Sequence, residues 1–290
     1  MGNYLLLAIG VFLLALDGIF RKKFQEAAGA SMKAGLVFNI LVGFTATLLF
    51  WVINGFKWES TPYSQIIAII QAFLGVAYGL VGFKVMKDGG VALYALFLMT
   101  GSMVVPYVWG LLFLNEPFSW LRLAGLLVIF AAVVVSKVSD FKTNPKQMAL
   151  CIAVFFFNGF VSVTSKVHQV EVNYAVVSTT SFTVIAFLWK LILSGAAYGA
   201  MFKKFKDEPK LPPLKKIYPY VVYCTLTGGI YYVLQLLVAG KVSASVMYPM
   251  ISGGNIIFSA LLGKAILHEN LSRRSILGII LCFAGTCMFL

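Results

Sequence analysis

Charge is what this sequence most lacks. Asp, Glu, Lys and Arg make up 11% of its 290 residues, and only ten residues are acidic. A soluble chain of this length must cover itself with polar side chains. A composition that is 60% hydrophobic therefore excludes a water-soluble globule and makes the bilayer the solvent. Histidine is nearly missing, and neither His168 nor His268 has a second His or Cys at ligand spacing, so no metal is expected. The four cysteines, Cys151, Cys224, Cys282 and Cys287, lie in apolar stretches and read as small apolar filler. The chain has no phosphate-binding Walker sequence and no nucleophile–base constellation, which speaks against ATP hydrolysis, catalysis and any cofactor.

What fills the space is apolar sequence in runs long enough to cross a bilayer, which takes about 20 residues as a helix. The predicted spans are Tyr4 to Phe20, Met32 to Ile53, Ser64 to Val85, Val91 to Leu114, Leu121 to Val138, Met148 to Thr164, Tyr174 to Met201, Tyr218 to Ala239, Ala244 to Leu267 and Ile276 to Leu290. The runs are continuous rather than alternating, so the fold class is an all-α membrane protein with ten transmembrane helices, not a β-barrel. The first span lacks a basic leader and a small-residue cleavage pattern, so it is expected to remain in the mature protein.

The net charge of +13 is distributed unevenly. Odd-numbered loops carry 18 Lys and Arg residues and even-numbered loops only Lys57, Arg122, Lys166 and Lys241. This positive-inside bias predicts cytoplasmic odd loops and non-cytoplasmic termini. Basicity is thus a topology signal, and no nucleic acid is expected as a partner, because no basic face carries interleaved aromatics outside the membrane.

The sequence also repeats. A shift of 153 residues aligns eight identities in 31 positions, among them Gly101 with Gly254, Glu116 with Glu269 and Gly125 with Gly278. A shift of 141 pairs Asp17-Gly18 with Asn158-Gly159. Two five-helix repeats follow, residues 1–140 and 147–290, and because five is odd they have inverted topology.

The stretch Leu98 to Ser136, LMTGSMVVPYVWGLLFLNEPFSWLRLAGLLVIFAAVVVS, resembles the end of an EamA-type repeat of the drug/metabolite transporter superfamily. Ser252 to Leu290, with its LHENLS turn and GIILCFAG helix, resembles the second copy. More distantly, the chain is similar to a duplicated small multidrug resistance protein. The resemblance implies a secondary transporter, a permease with a central cavity between its halves, in a bacterial inner or cell membrane. Carriers of this type in bacteria usually have cytoplasmic termini, opposite to the charge bias here. The Gly-x-x-Asn-Lys-type motif of nucleotide-sugar transporters is missing, which disfavours nucleotide sugars.

Polar and small residues recur at helical spacing in spans one to four and six to nine. The stripes include Asp17; Gln71 and Tyr78; Asn158 and Ser162; Thr183 and Lys190; Tyr231 and Gln235; and Tyr248, Ser252 and Asn255. Each residue alone reads as helix glue, but together they predict a polar path with spans five and ten packed outside it. Gly125 and Gly278, with Ala131, Ala132, Ala284 and Gly285, would seat helix contacts, including those of a homodimer. Glu116 and Glu269, at the paired turns, read as capping or salt-bridging groups.

Asp17 and Lys190 stand out, because a charged side chain at mid-span costs roughly 3 kcal/mol. Both lie about 20 Å from the same membrane face, at 1.5 Å per residue. They are expected either as a buried ion pair lining the path or, separately, as a partner of Arg21 and a snorkelling lysine. Tyr78, Tyr94, Trp109, Tyr231 and Tyr248 lie within spans and suit stacking or cation–π contact with a small amphipathic solute. An acid and a base together match an amino acid or similar zwitterion. The alternatives are a proton-coupled exporter of lipophilic cations, which needs Asp17 unpaired, and a non-transporting scaffold or lipid-handling subunit. The expected partners are a small-molecule substrate, protons and the lipid bilayer.

Overall fold

The computed structural model describes residues 2–137, 145–206, 208, 210–268 and 272–289, and within them the chain is helical with no strand. The helices are α1 (Gly2–Ala28), α2 (Met32–Ile53), α3 (Pro62–Phe113), α4 (Trp120–Lys137), α5 (Pro145–Val170), α6 (Thr179–Ala200), α7 (Leu214–Ala239), α8 (Ala244–Leu267) and α9 (Arg273–Cys287). Among the described residues, eight segments are long and apolar enough to cross a membrane, two of them, Pro62–Met86 and Leu93–Phe113, being limbs of α3. The protein is an integral multi-pass membrane protein. Glu269 and residues 138–144, where the two repeats are expected to join, lie outside the described residues.

The limbs of α3 run in opposite directions, as their common neighbour α5 shows. Along α5, Ser165 meets Gln71 and His168 meets Ser64, so the first limb is antiparallel to it. Phe155 meets Gly101 and Gly159 meets Val105, so the second limb is parallel. The Tyr94 ring fills the space where a Cβ on Gly82 would stand, which a straight helix could not achieve across twelve residues. The remaining helices alternate in direction: Gly10 of α1 packs on Tyr231 and Leu234 of α7, Asp17 on Gly228, and Gly43 of α2 on Leu191 of α6. One face of the bundle therefore carries Gly2 and is called the terminal face. The other carries the end of α1 with Arg21, Lys22 and Lys23 and is called the basic face.

Two helices run well past the C-terminal ends of the spans predicted from hydropathy. α1 continues past Phe20 to Ala28, because Phe24 is buried among Ala34, Phe38, Ile217 and Val221 and because Arg21 has a partner one turn back. α5 continues past Thr164 to Val170, so Lys166 and His168 are buried helical residues, not loop residues. α4 and α9 pack on each other and on α8, and turn Trp120, Leu127, Phe130, Ile280 and Phe283 outward. Their contact rests on close approach: a Cβ on Gly125 would lie 2.9 Å from the Gly285 carbonyl oxygen. The small-residue seat is therefore used within the chain.

A second close approach gives the first testable consequence. A Cβ on Gly101 would fall on the carbonyl oxygen of Phe155 and 2.8 Å from its Cα, and backbone inside a helix cannot give way. Gly101→Ala should lower stability by about 1–3 kcal/mol through overpacking. The expected reading is a clear drop in the melting temperature of detergent-purified protein, and an unchanged one would mean that α3 and α5 do not touch there.

Candidate functional site

Asp17 is 7% exposed, an uncommon place for a carboxylate in so apolar a helix. Its side chain lies against α7, where a Cβ on Gly228 would come within 2.9 Å of Oδ1, so glycine is needed for the approach. Arg21, one turn further along α1, donates from Nη2 to Asp17 Oδ2 at 3.2 Å, and its guanidinium sits 5.0 Å from the Phe38 ring centroid. Cys224 of α7 donates its thiol to the Asp17 carbonyl oxygen at 3.7 Å. Arg21 is surrounded by protein at long range and yet keeps 46% of its side-chain surface open. Arg21 is therefore accessible at the basic-face end of α1 while Asp17 behind it is buried.

Lys190 does not pair with Asp17. Its Nζ lies 5.9 Å from the Phe187 ring centroid, and Asp17, Arg21 and Cys224 complete its electrostatic surroundings. Phe187 stacks on Phe50, which fills the space beside Gly229, the neighbour of the glycine that Asp17 abuts. Tyr78 and Tyr94 from the two limbs of α3 and Tyr231 from α7 lie in the same electrostatic neighbourhood, all half-buried. Five of the sequence-predicted residues, Asp17, Tyr78, Tyr94, Lys190 and Tyr231, thus come together near the Asp17–Arg21 pair, Tyr231 on the Asp17 side of it.

The others lie elsewhere. Tyr248 and Gln235 are close to each other nearer the terminal face, where Tyr248 Oη donates to the Ser162 carbonyl oxygen at 2.5 Å. There Gln71 donates to Ser165 Oγ at 2.9 Å and accepts from Tyr232 Oη at 3.0 Å. Ser252 is buried on α8. Asn255 accepts from Ser259 at 3.1 Å along its own helix. Asn158 donates to the Leu98 carbonyl oxygen at 2.7 Å and so ties α5 to α3 instead of facing the charged cluster.

Towards the terminal face, hydrogen bonds close the bundle. Glu59 accepts from Ser181 Oγ at 2.7 Å and from Ser178 Oγ at 2.9 Å. His168 stacks on Phe182 with centroids 3.6 Å apart and bonds Ser64 and Gln169 through its two ring nitrogens. Trp189 Nε1 donates to Gln65 Oε1 at 2.6 Å. Glu116 accepts from the backbone N–H groups of Ala244 and Ser245 at 2.6 and 2.8 Å, capping α8 as its position in the turn predicts. Lys166 Nζ donates to the carbonyl oxygens of Ala239 and Val242 at 2.6 and 2.8 Å, holding the end of α7. A cavity of about 690 Å³ opens at this face beside Glu116, Lys166 and Glu171. Its buried cation and its carboxylates are engaged with backbone, so the free polar groups of the site lie in the Arg21 cluster.

Glu59 and Glu171 lie in loops outside the spans, and both are held below the ordinary glutamate pKa. For Glu59 the main causes are the Ser181 and Ser178 hydroxyls, and for Glu171 the backbone N–H of Asn173. A depressed carboxylate pKa contributes stability above its unfolded value and loses it as pH falls through the folded value. Labelling of a cysteine placed at Val176, normalised to the reactivity of a free thiol at each pH, should therefore stay flat from about pH 8 to 5 and rise only at more acid pH, below the ordinary glutamate range. A rise between pH 7 and 5 would show that another group controls this loop.

Residues 145–290 match the model of the EamA-like transporter family. A crystal structure of another protein has the same fold, with a TM-score of 0.75 over 97% of this chain and 94% of that one, at 17% identity. No curated protein matches in sequence.

Proposed function

This chain belongs to the EamA-like transporter family, and from that premise we propose a secondary transporter that moves a small amphipathic metabolite, an amino acid or similar zwitterion, by alternating access. The single observation that carries the reading is the Asp17–Arg21–Lys190 cluster. It holds Asp17 and Lys190 at mid-bundle with Arg21 one turn nearer the basic face, where its side chain is open, and hydrogen bonds tie the helices together on the opposite side. The substrate site we propose comprises Tyr78, Tyr94, Lys190 and Tyr231, with Asp17 serving it through Arg21, and Asn158, Gln235, Tyr248, Ser252 and Asn255 lining the path as the seal opens.

The helix pairing supports two inverted repeats of five membrane-crossing segments. Exchanging each first-half segment with its counterpart turns the α1·α7 contact into that of α5 with the first limb of α3. It turns α1·α8 into α5 with the second limb, and leaves α2·α6 and α4·α9 as themselves. Gly101 against Phe155 and Gly254 against Val11 fall in corresponding helix pairs in this scheme, the second contact about one turn away from strict equivalence. A homodimer would form on surfaces other than the Gly125 and Gly285 seat, which faces inward.

The lipophilic-cation reading needs a free carboxylate, and Asp17 already has a cationic partner. The charge bias supports placing the basic face in the cytoplasm of a bacterial cell, with the present conformation open to that side. Alternating access is tested by a cysteine at Asn255. A membrane-impermeant reagent should reach it from both faces, and solute should change the ratio. Access from neither face would leave only the scaffold reading.

A further inference from the structure

The charges of the cluster do not cancel. Arg21 and Lys190 supply two cations and Asp17 one anion, and Asp17 spends its contact on Arg21. That contact uses a single guanidinium nitrogen, and a guanidinium has five N–H donors in a planar fork. Asp17 and the Phe38 ring therefore hold the Arg21 head group from two sides, and the bond to Asp17 leaves its other donors open. Lys190, whose Nζ lies over the Phe187 ring, has no carboxylate within ion-pairing distance among the described residues. Tyr78 and Tyr94 place two phenol hydroxyls in the same neighbourhood. A held guanidinium, an unneutralised ammonium and phenolic O–H groups are all donors, and all suit oxygen anions.

We propose that the cluster is a receptor for the anionic group of the solute, a carboxylate or phosphate, held by Arg21 and Lys190, with Asp17 acting as the positioning residue for Arg21. The assignment rests on the transport reading above and narrows it: a solute is recognised by its anion, and an amino group contributes nothing. An amino acid is then bound as a carboxylate, and the des-amino acid binds equally well. The charge of Lys190, unlike that of Arg21 and of the lysines along the basic face, is not explained by topology, because positive-inside bias acts on the ends of spans and Lys190 stands in the middle of α6.

The test uses the full-length protein in detergent and probes matched pair by pair: phenylpropionate, phenylalanine, phenylalaninamide and phenyl phosphate, with the leucine and glutamine skeletons alongside. The two acids of each skeleton should raise the melting temperature alike, and phenyl phosphate should do so if the site takes both kinds of oxyanion, while the amides should not. Lys190→Met should raise the melting temperature of the unliganded protein, since an unpaired charge is gone, and weaken acid binding at least tenfold. Arg21→Gln should weaken it similarly. Stabilisation by amides and not by acids, acid binding that survives Lys190→Met, or no acid-dependent shift in any skeleton would each overturn the assignment. The transport reading fails separately, if the cysteine at Asn255 is never reached from the second face.

Discussion

Asp17→Asn should leave the protein inserted and folded and remove at least about nine-tenths of its transport, a loss equivalent to roughly 1.4 kcal/mol. Removing one partner of a fully buried ion pair destabilises by about 3–5 kcal/mol, because the other charge is stranded. Arg21 is not fully buried. With 46% of its side chain open, water can hydrate it when Asp17 is neutralised, and the stability cost should fall towards the ~1 kcal/mol of an exposed pair. Function has no such relief, since an unanchored guanidinium loses the orientation that Asp17 and Phe38 impose. The loss should appear mainly as a raised KM, which a purely structural defect would not single out. Asp17→Glu, which keeps the charge, should recover part of the activity. Near-normal uptake by the Asn variant in proteoliposomes would sink this role and reduce Asp17 to the helix-surface partner of Arg21.

Hydropathy delimits helices well where nothing charged is buried. α2 and α8 begin and end at the residues their apolar runs predict, with Ser31 capping α2 by accepting from the Ala34 N–H. It fails where a charge finds a partner inside the bundle. A reading of α1 stops at Arg21 and a reading of α5 stops before Lys166, because a sequence cannot show that Asp17 or the carbonyls at the end of α7 await them. The site was legible to a similar depth. A carboxylate in an apolar run and its i+4 arginine are visible in the sequence. The shared depth of Asp17 and Lys190 is visible too. Which cation Asp17 chooses is a tertiary outcome, set by α7 pressing Gly228 against its carboxylate while Lys190 turns to Phe187. Asn158 shows the same limit. It aligns with Asp17 in the repeat, yet its amide reaches a carbonyl of α3, as polar glue between helices does.

Lys166→Met should have the second large effect, and on the opposite side of the bundle. The α7–α8 tip is clamped from two directions: Lys166 of α5 holds the carbonyls of Ala239 and Val242, and Glu116 holds the N–H groups of Ala244 and Ser245. The arrangement matches the electrostatics of helix ends, a cation at the C-terminus of α7 and an anion at the N-terminus of α8. Hydrogen bonds to a charged group contribute about 1.5–3 kcal/mol each. The adjoining 690 Å³ cavity would let water reach the freed carbonyls, so the net loss should sit near the lower end, at about 3 kcal/mol for the two. In the alternating-access cycle proposed above this face would open, and the clamp would be lost when it did. Its removal should therefore shift the population towards the terminal-open state, by tenfold for each 1.4 kcal/mol that the closed state loses. A cysteine at Ser243 should react faster in the Lys166→Met protein, and faster but less so in Glu116→Gln, which keeps one acceptor oxygen. Because both residues hold one tip, the double variant should gain less than the two single changes added together. Labelling at the parental rate in Lys166→Met, with a lowered melting temperature, would mean that Lys166 stabilises the fold and does not gate it.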